Sequence, residues 1–143
     1  MEFDFFRLAE GRLSQWVNSS ATFLTLDQPS VLIREGVKTE DVYILRHGEL
    51  KVTTSTQSGE EVSLAKLSDQ GALVGEMSFL ESRPPVATVV AEAGSEVLLV
   101  NKEKLGNAIK VDMALGRELY YLMAQKLSLQ IQGQNSMIHS SPH

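Results

Sequence analysis

Short runs of β-branched and apolar residues, separated by turn formers, fill the middle of the chain at 22–26, 31–34, 42–45, 49–56, 61–67, 86–92 and 96–100. This texture predicts a sheet-built barrel or sandwich. Gly36, Gly48, Gly59 and Gly94 fall between runs, where reversals favour a residue that tolerates positive φ. Leu50, Val52 and Thr54, and then Val62 and Leu64, alternate with more polar neighbours. Each such strand has one buried and one solvated face, which argues for antiparallel pairing. The stretch 86–91 is apolar on both faces, which predicts a strand covered from both sides, with helices as the cover.

The flanks carry a different period. Phe5, Leu8, Leu13, Trp16 and Val17 recur at three- and four-residue steps, predicting an amphipathic helix over 5–17. After Asn101 the β texture stops. A short helix over 102–110 and a long one over 112–132 follow, with Asp112 as N-cap and Gly133 as stop. The long helix would reach about 30 Å, more than a small β body needs as a cover, so part of it should seek another surface. Leu115, Leu119, Leu122 and Leu129 form its stripe, Met123 and Leu127 widen it, and Lys126 sits where the stripe calls for an apolar residue. Two readings stand side by side: an intramolecular amphipathic helix, or a self-pairing seam with Leu115, Leu119, Leu122, Met123 and Leu129 at a dimer interface. The polar tail 134–143 is expected to be flexible.

At 143 residues the chain is one domain, expected over 1–133. Its 43% hydrophobic and 22% charged residues place it among folded globular proteins. The formal charge of -5 lacks the basic footprint of phosphate-backbone binding, so nucleic acid is not expected as a partner. The absence of cysteine removes disulfides, thiolate nucleophiles and thiolate metal ligands, and suits a reducing, cytoplasmic setting. The start MEFDFF is acidic where a signal peptide is basic, and apolar stretches such as 97–100 fall far short of the roughly 18 residues of a membrane span. Neither secretion nor membrane insertion is expected.

The informative segment is 71–89. Gly75, Glu76 and a short helical turn ahead of a strand can turn backbone N–H groups toward an anion while Glu76 accepts from hydroxyls. Composition alone favours the plainer reading, a loop crossing from one sheet to the other with Glu76 as a surface or capping residue. The run Gly75-Glu76-Met77-Ser78-Phe79-Leu80, then Pro84, then Ala87-Thr88-Val89, resembles the phosphate-binding cassette of the cyclic-nucleotide-binding domain family. Arg34-Glu35-Gly36, Asp41 to Leu45 and Gly48-Glu49-Leu50 match the family's glycine-bounded hairpins in order and spacing, and the resemblance covers roughly 23–132.

That resemblance implies a mainly β fold with flanking helices: an antiparallel β-roll (double-stranded β-helix or jelly roll) over about 22–101, an N-terminal helix, and C-terminal helices over about 102–132. It implies a cassette that holds cyclic AMP (cAMP) or cyclic GMP (cGMP), with occupancy moving the C-terminal helices. Gly75 would approach the ligand closely, Glu76 would take the ribose 2′-hydroxyl, and Ala87 and Thr88 would supply contacts near phosphate and base. The family's nucleotide binders place an arginine directly after the cassette proline, whereas here Pro85 follows Pro84 and Val86 comes next. A charged hydrogen bond is worth roughly 1.5–3 kcal/mol and an arginine can make two, so this departure should weaken nucleotide binding about tenfold to about a thousandfold. Proline also removes a backbone donor. Arg83, two positions early, is the candidate replacement, against the plainer reading of an exposed loop charge. The candidate ligand-binding residues are therefore Gly75, Glu76, Met77, Ser78, Arg83, Pro84, Pro85, Val86, Ala87 and Thr88.

Other chemistries find little footing. The histidines are His47, His139 and His143, two of them in the tail, so no triad or histidine-rich metal site is expected. No P-loop or dinucleotide fingerprint is present. Adjacent Glu60 and Glu61 would point to opposite faces of a hairpin tip. The family's bacterial transcription regulators append a helix-turn-helix after the long helix, and with about ten residues given after Gly133 direct DNA reading is not expected. The expectation is a regulatory module, not an enzyme, with neither cofactor nor metal. It would bind cyclic nucleotide weakly or not at all, or take another small anionic ligand, and its C-terminal helix would serve a homodimer or a partner protein. A genuine sensor rescued by Arg83 and a ligand-independent interaction domain are the alternatives.

Overall fold

The computed structural model describes the backbone of residues 3–140 and the side chains of residues 3–133. Two helices, α1 (Phe5–Leu8) and α2 (Gly11–Ser20), precede the strands β1 (Thr22–Leu26), β2 (Ser30–Ile33), β3 (Asp41–His47), β4 (Leu50–Ser55), β5 (Glu61–Leu67) and β6 (Leu73–Val74). Then come α3 (Glu76–Leu80), β7 (Thr88–Ala91), β8 (Ser95–Asn101), α4 (Lys102–Val111) and α5 (Met113–Ser140). The strands form two four-stranded sheets, ordered β1-β8-β3-β6 and β2-β7-β4-β5, and every pair is antiparallel. The fold is the β-roll that the strand runs and the resemblance together imply.

Turn chemistry fixes the reversals. Gly48 holds φ at 107° between β3 and β4, and a Cβ there would lie 2.4 Å from Ser95 Oγ. Only glycine fits so close to a neighbouring strand at that φ. Ser95 is fully buried, and its hydroxyl both donates to the Glu49 carbonyl and accepts from the Glu49 N–H.

Two cores share the first sheet. Tyr43, Leu45 and Val97 face the second sheet, packing with Ile33, Leu50, Val74, Val89 and Ala91. Val42, Ile44, Leu98 and Val100, on the opposite faces of the same strands, pack under the helices with Phe5, Leu13, Val17, Leu105, Leu115, Leu119, Leu122 and Met123. The strands covered on both sides are therefore β3 and β8. The expectation that 86–91 is covered twice fails. Val89 and Ala91 point inward, but Thr88 and Val90 are half-buried and Val86 is 84% exposed, because the core helices pack on the other sheet.

Three further expectations change. The single helix over 5–17 is broken at Ala9 and Glu10, both extended, since α1 is tied to the roll through the Phe5 N–H on the Gly71 carbonyl at 2.9 Å. Gly133 does not stop α5, which continues to Ser140; an interior glycine costs a helix only about 1 kcal/mol relative to alanine and need not end it. The flexibility expected of 134–143 concerns residues whose side chains lie outside those described, and His139 and His143 fall among them. Finally, Leu115, Leu119, Leu122 and Met123 are 2%, 4%, 1% and 7% exposed, spent on this chain's own core. Asp112 does cap α5, accepting from the Leu115 N–H at 3.1 Å.

Candidate ligand site

The crossing from β6 to β7 builds the site. Gly75 takes φ 91° as it turns out of β6, and a Cβ there would stand 3.0 Å from the Asp41 carbonyl oxygen and 3.3 Å from Ile33 Cδ1. Both φ and the approach of β3 demand glycine at this point. Directly after it, Glu76 opens α3 with its side chain turned inward, 7% exposed. Phe79, one turn on, packs against the helix-side core and fixes α3 there. The loop over 81–87 then leads into β7.

Beneath α3 lies a cavity of about 770 Å³. Ile33, Val52, Leu67, Val74 and Val89 form an aliphatic floor from both sheets. Gly75, Glu76, Met77 and Ser78 line one side, Pro85, Val86 and Ala87 another, and α5 closes over it with Lys126, Leu129, Gln130 and Gly133. The charged lining groups are Lys66, Asp69, Glu76 and Lys126. Glu76 is already engaged: its Oε1 accepts from Lys126 Nζ at 2.5 Å, and both side chains are largely shielded, 9% and 15% exposed.

Seven of the ten sequence-predicted ligand residues thus meet in one cavity: Gly75, Glu76, Met77, Ser78, Pro85, Val86 and Ala87. Three do not line it. Arg83 is paired with the Glu81 carboxylate, with its own side chain 78% exposed, so its head is on the outer surface. Pro84 is exposed beside it. Thr88 uses its hydroxyl to accept from the Glu35 N–H at 2.9 Å, and Glu35 in turn accepts from the Thr54 hydroxyl and the Ser55 N–H. This network fastens β7 to the turn after β2. Leu129, expected at a dimer seam, is half-buried and lines the cavity. The expected arginine position holds Pro85, whose carbonyl accepts from the Gly36 N–H.

Sequence reasoning missed the two lysines. Lys126 left a trace, a cation in the apolar stripe of the long helix, whereas Lys66 on exposed β5 looked like any surface charge. Among the described residues no cluster of His, Cys, Asp or Glu could hold a metal ion, and no helix is long and apolar enough to cross a membrane.

Comparison with known proteins agrees with this layout. Residues 23–112 match the cyclic nucleotide-binding domain family. This chain belongs to that family. It is 27% identical over 122 residues to the anaerobic regulatory protein of Bacillus subtilis, covering 84% of this chain and 50% of that one. It is 28% identical over 116 residues to the cAMP-activated global transcriptional regulator CRP of Salmonella typhimurium, covering 80% of this chain and 55% of the regulator. The chain thus spans about half the length of these curated relatives. A cyclic nucleotide-binding domain from Methylobacillus flagellatus shares the fold with a TM-score of 0.78 at 18% identity, over 92% of this chain and 74% of that one.

Proposed function

We propose that the domain is a regulatory module whose cavity under α5 takes a small anionic ligand and whose cassette is degenerate, so that cyclic nucleotide is held weakly at best. One observation carries this reading: the cassette residues Gly75 to Ser78 and Pro85 to Ala87 converge on a single cavity that α5 also lines. A ligand there touches the helix that would report its presence, by selecting between positions of α5. The degenerate part rests on Pro85, which offers neither guanidinium nor N–H. Rescue by Arg83 draws no support from a guanidinium paired on the outer surface.

The output surface in this proposal is the outer face of α5, where Tyr120, Tyr121, Leu127 and Ile131 are exposed. It serves a second copy or another protein. Sedimentation at high micromolar concentration that gives a strict monomer removes the second copy.

Thermal unfolding with cAMP, cGMP and the cyclic pyrimidine nucleotides tests the cassette, because a ligand that binds only the native state raises its stability by mass action. The expected result is at most a small upward shift at millimolar nucleotide. A shift already saturated at micromolar cAMP or cGMP overturns the degenerate cassette and leaves a genuine sensor.

A further inference from the structure

We infer that Lys126 is the specificity-determining cation of the cavity, and that the ligand class it selects is a hydroxylated anion. The inference rests on the proposed function, taking the cavity under α5 as the ligand site. Lys126 reaches from α5 across fifty positions of sequence to Glu76 Oε1, at 2.5 Å, where both groups are largely shielded from water. A ligand hydroxyl that reaches Glu76 therefore arrives beside the Lys126 ammonium.

The consequences follow from the cost of unpaired charge away from water. An uncharged hydroxyl ligand uses Glu76 alone and leaves the spare N–H donors of the Lys126 ammonium unmatched. A simple anion can accept from Lys126 but stands beside the like charge of the Glu76 carboxylate. A ligand carrying both a hydroxyl and an anionic group satisfies both, its hydroxyl donating to Glu76 while its anion accepts from Nζ. Lys126 then does from α5 what neither Pro85 nor the outward-facing Arg83 can do from the cassette. The aliphatic floor of Ile33, Val52 and Val89 accommodates an apolar or planar remainder.

The test is an amide NMR titration of the domain with four probes: cAMP and ribose 5-phosphate carry hydroxyl and anion, adenosine carries hydroxyls alone, and inorganic phosphate is an anion alone. The wild-type cavity residues should respond to the first two in preference to the last two. In Lys126→Met, which keeps the aliphatic stem, the preference for cAMP over adenosine should fall about tenfold or more, with Lys126→Gln as the second variant should the first fold poorly. Glu76→Gln should lower the preference for ribose 5-phosphate over inorganic phosphate. An unchanged preference in both Lys126 variants overturns the role of Lys126 and leaves the proposed function standing. No response of any protein to any of the four probes overturns the proposed function and the inference together.

Discussion

The two halves of α5 are held in opposite ways. Over 113–123 the helix is anchored by four nearly inaccessible apolar side chains, by the Asp112 cap, and by Glu118, whose Oε1 accepts from the Leu13 N–H at 3.0 Å. Asp112 also pairs with Arg12 at 3.1 Å. Over 124–133 the apolar residues are half-buried or exposed, and the named tie to the roll is the ion pair of Lys126 with Glu76. Among the described residues, then, the first part of the helix is held by packing and the second by a polar contact. Packing over a wide face cannot be exchanged for a ligand, but one ion pair can.

The largest effect should come from the anchored half. Leu122→Ala, which empties a site 1% exposed, is expected to cost about 3 kcal/mol in urea unfolding; a loss below about 1 kcal/mol would break the contrast. Next, Lys126→Met should cost about 1–3 kcal/mol, because it leaves the Glu76 carboxylate unpaired, and Glu76→Gln combined with it should recover part of that loss. Additive losses would mean the two groups do not act as a pair. Leu127→Ala, on a side chain 56% exposed, should change stability by less than about 0.5 kcal/mol.

The last prediction concerns pH. The Leu115 N–H, followed by Arg12, holds the Asp112 carboxyl below its ordinary value of 3.8. A carboxyl lowered on folding adds stability that is fully present above the ordinary value and is lost as pH falls through the folded one. Acid unfolding curves of the wild type should therefore steepen below about pH 4, and Asp112→Asn should flatten that limb. An unaltered limb in the variant would remove Asp112 from the anchor.

The bounds of the strands were largely legible, the runs at 22–26 and 61–67 coinciding with β1 and β5, but the buried face expected of Val62 and Leu64 was not found: they are 41% and 56% exposed, because the core helices leave the outer strand β5 uncovered. β6 was not, since two residues, Leu73 and Val74, are too few to carry a period. The sheet that receives the helices was misassigned. The continuous apolar runs 42–45 and 97–100 mark β3 and β8 as the doubly covered strands, while the apolar look of 86–91 comes partly from Val86, exposed in the loop. In the site, Gly75 and Glu76 stood out through the resemblance of 75–80 to the family's cassette, not through composition or spacing. The engagement of Glu76 by Lys126 did not, because a contact between residues fifty positions apart depends on where α5 lies over the cavity. The lysine in the apolar stripe marked the position without naming its partner.

The central claim, that the cavity under α5 is a ligand site whose cassette is weakened at Pro85, is tested most directly by calorimetric titration of cAMP into the wild type and Pro85→Arg. The backbone carbonyl that accepts from the Gly36 N–H is kept in that variant. Affinity is expected to be at least about tenfold tighter in Pro85→Arg than in the wild type. A correctly folded Pro85→Arg that binds cAMP no better than the wild type would contradict it.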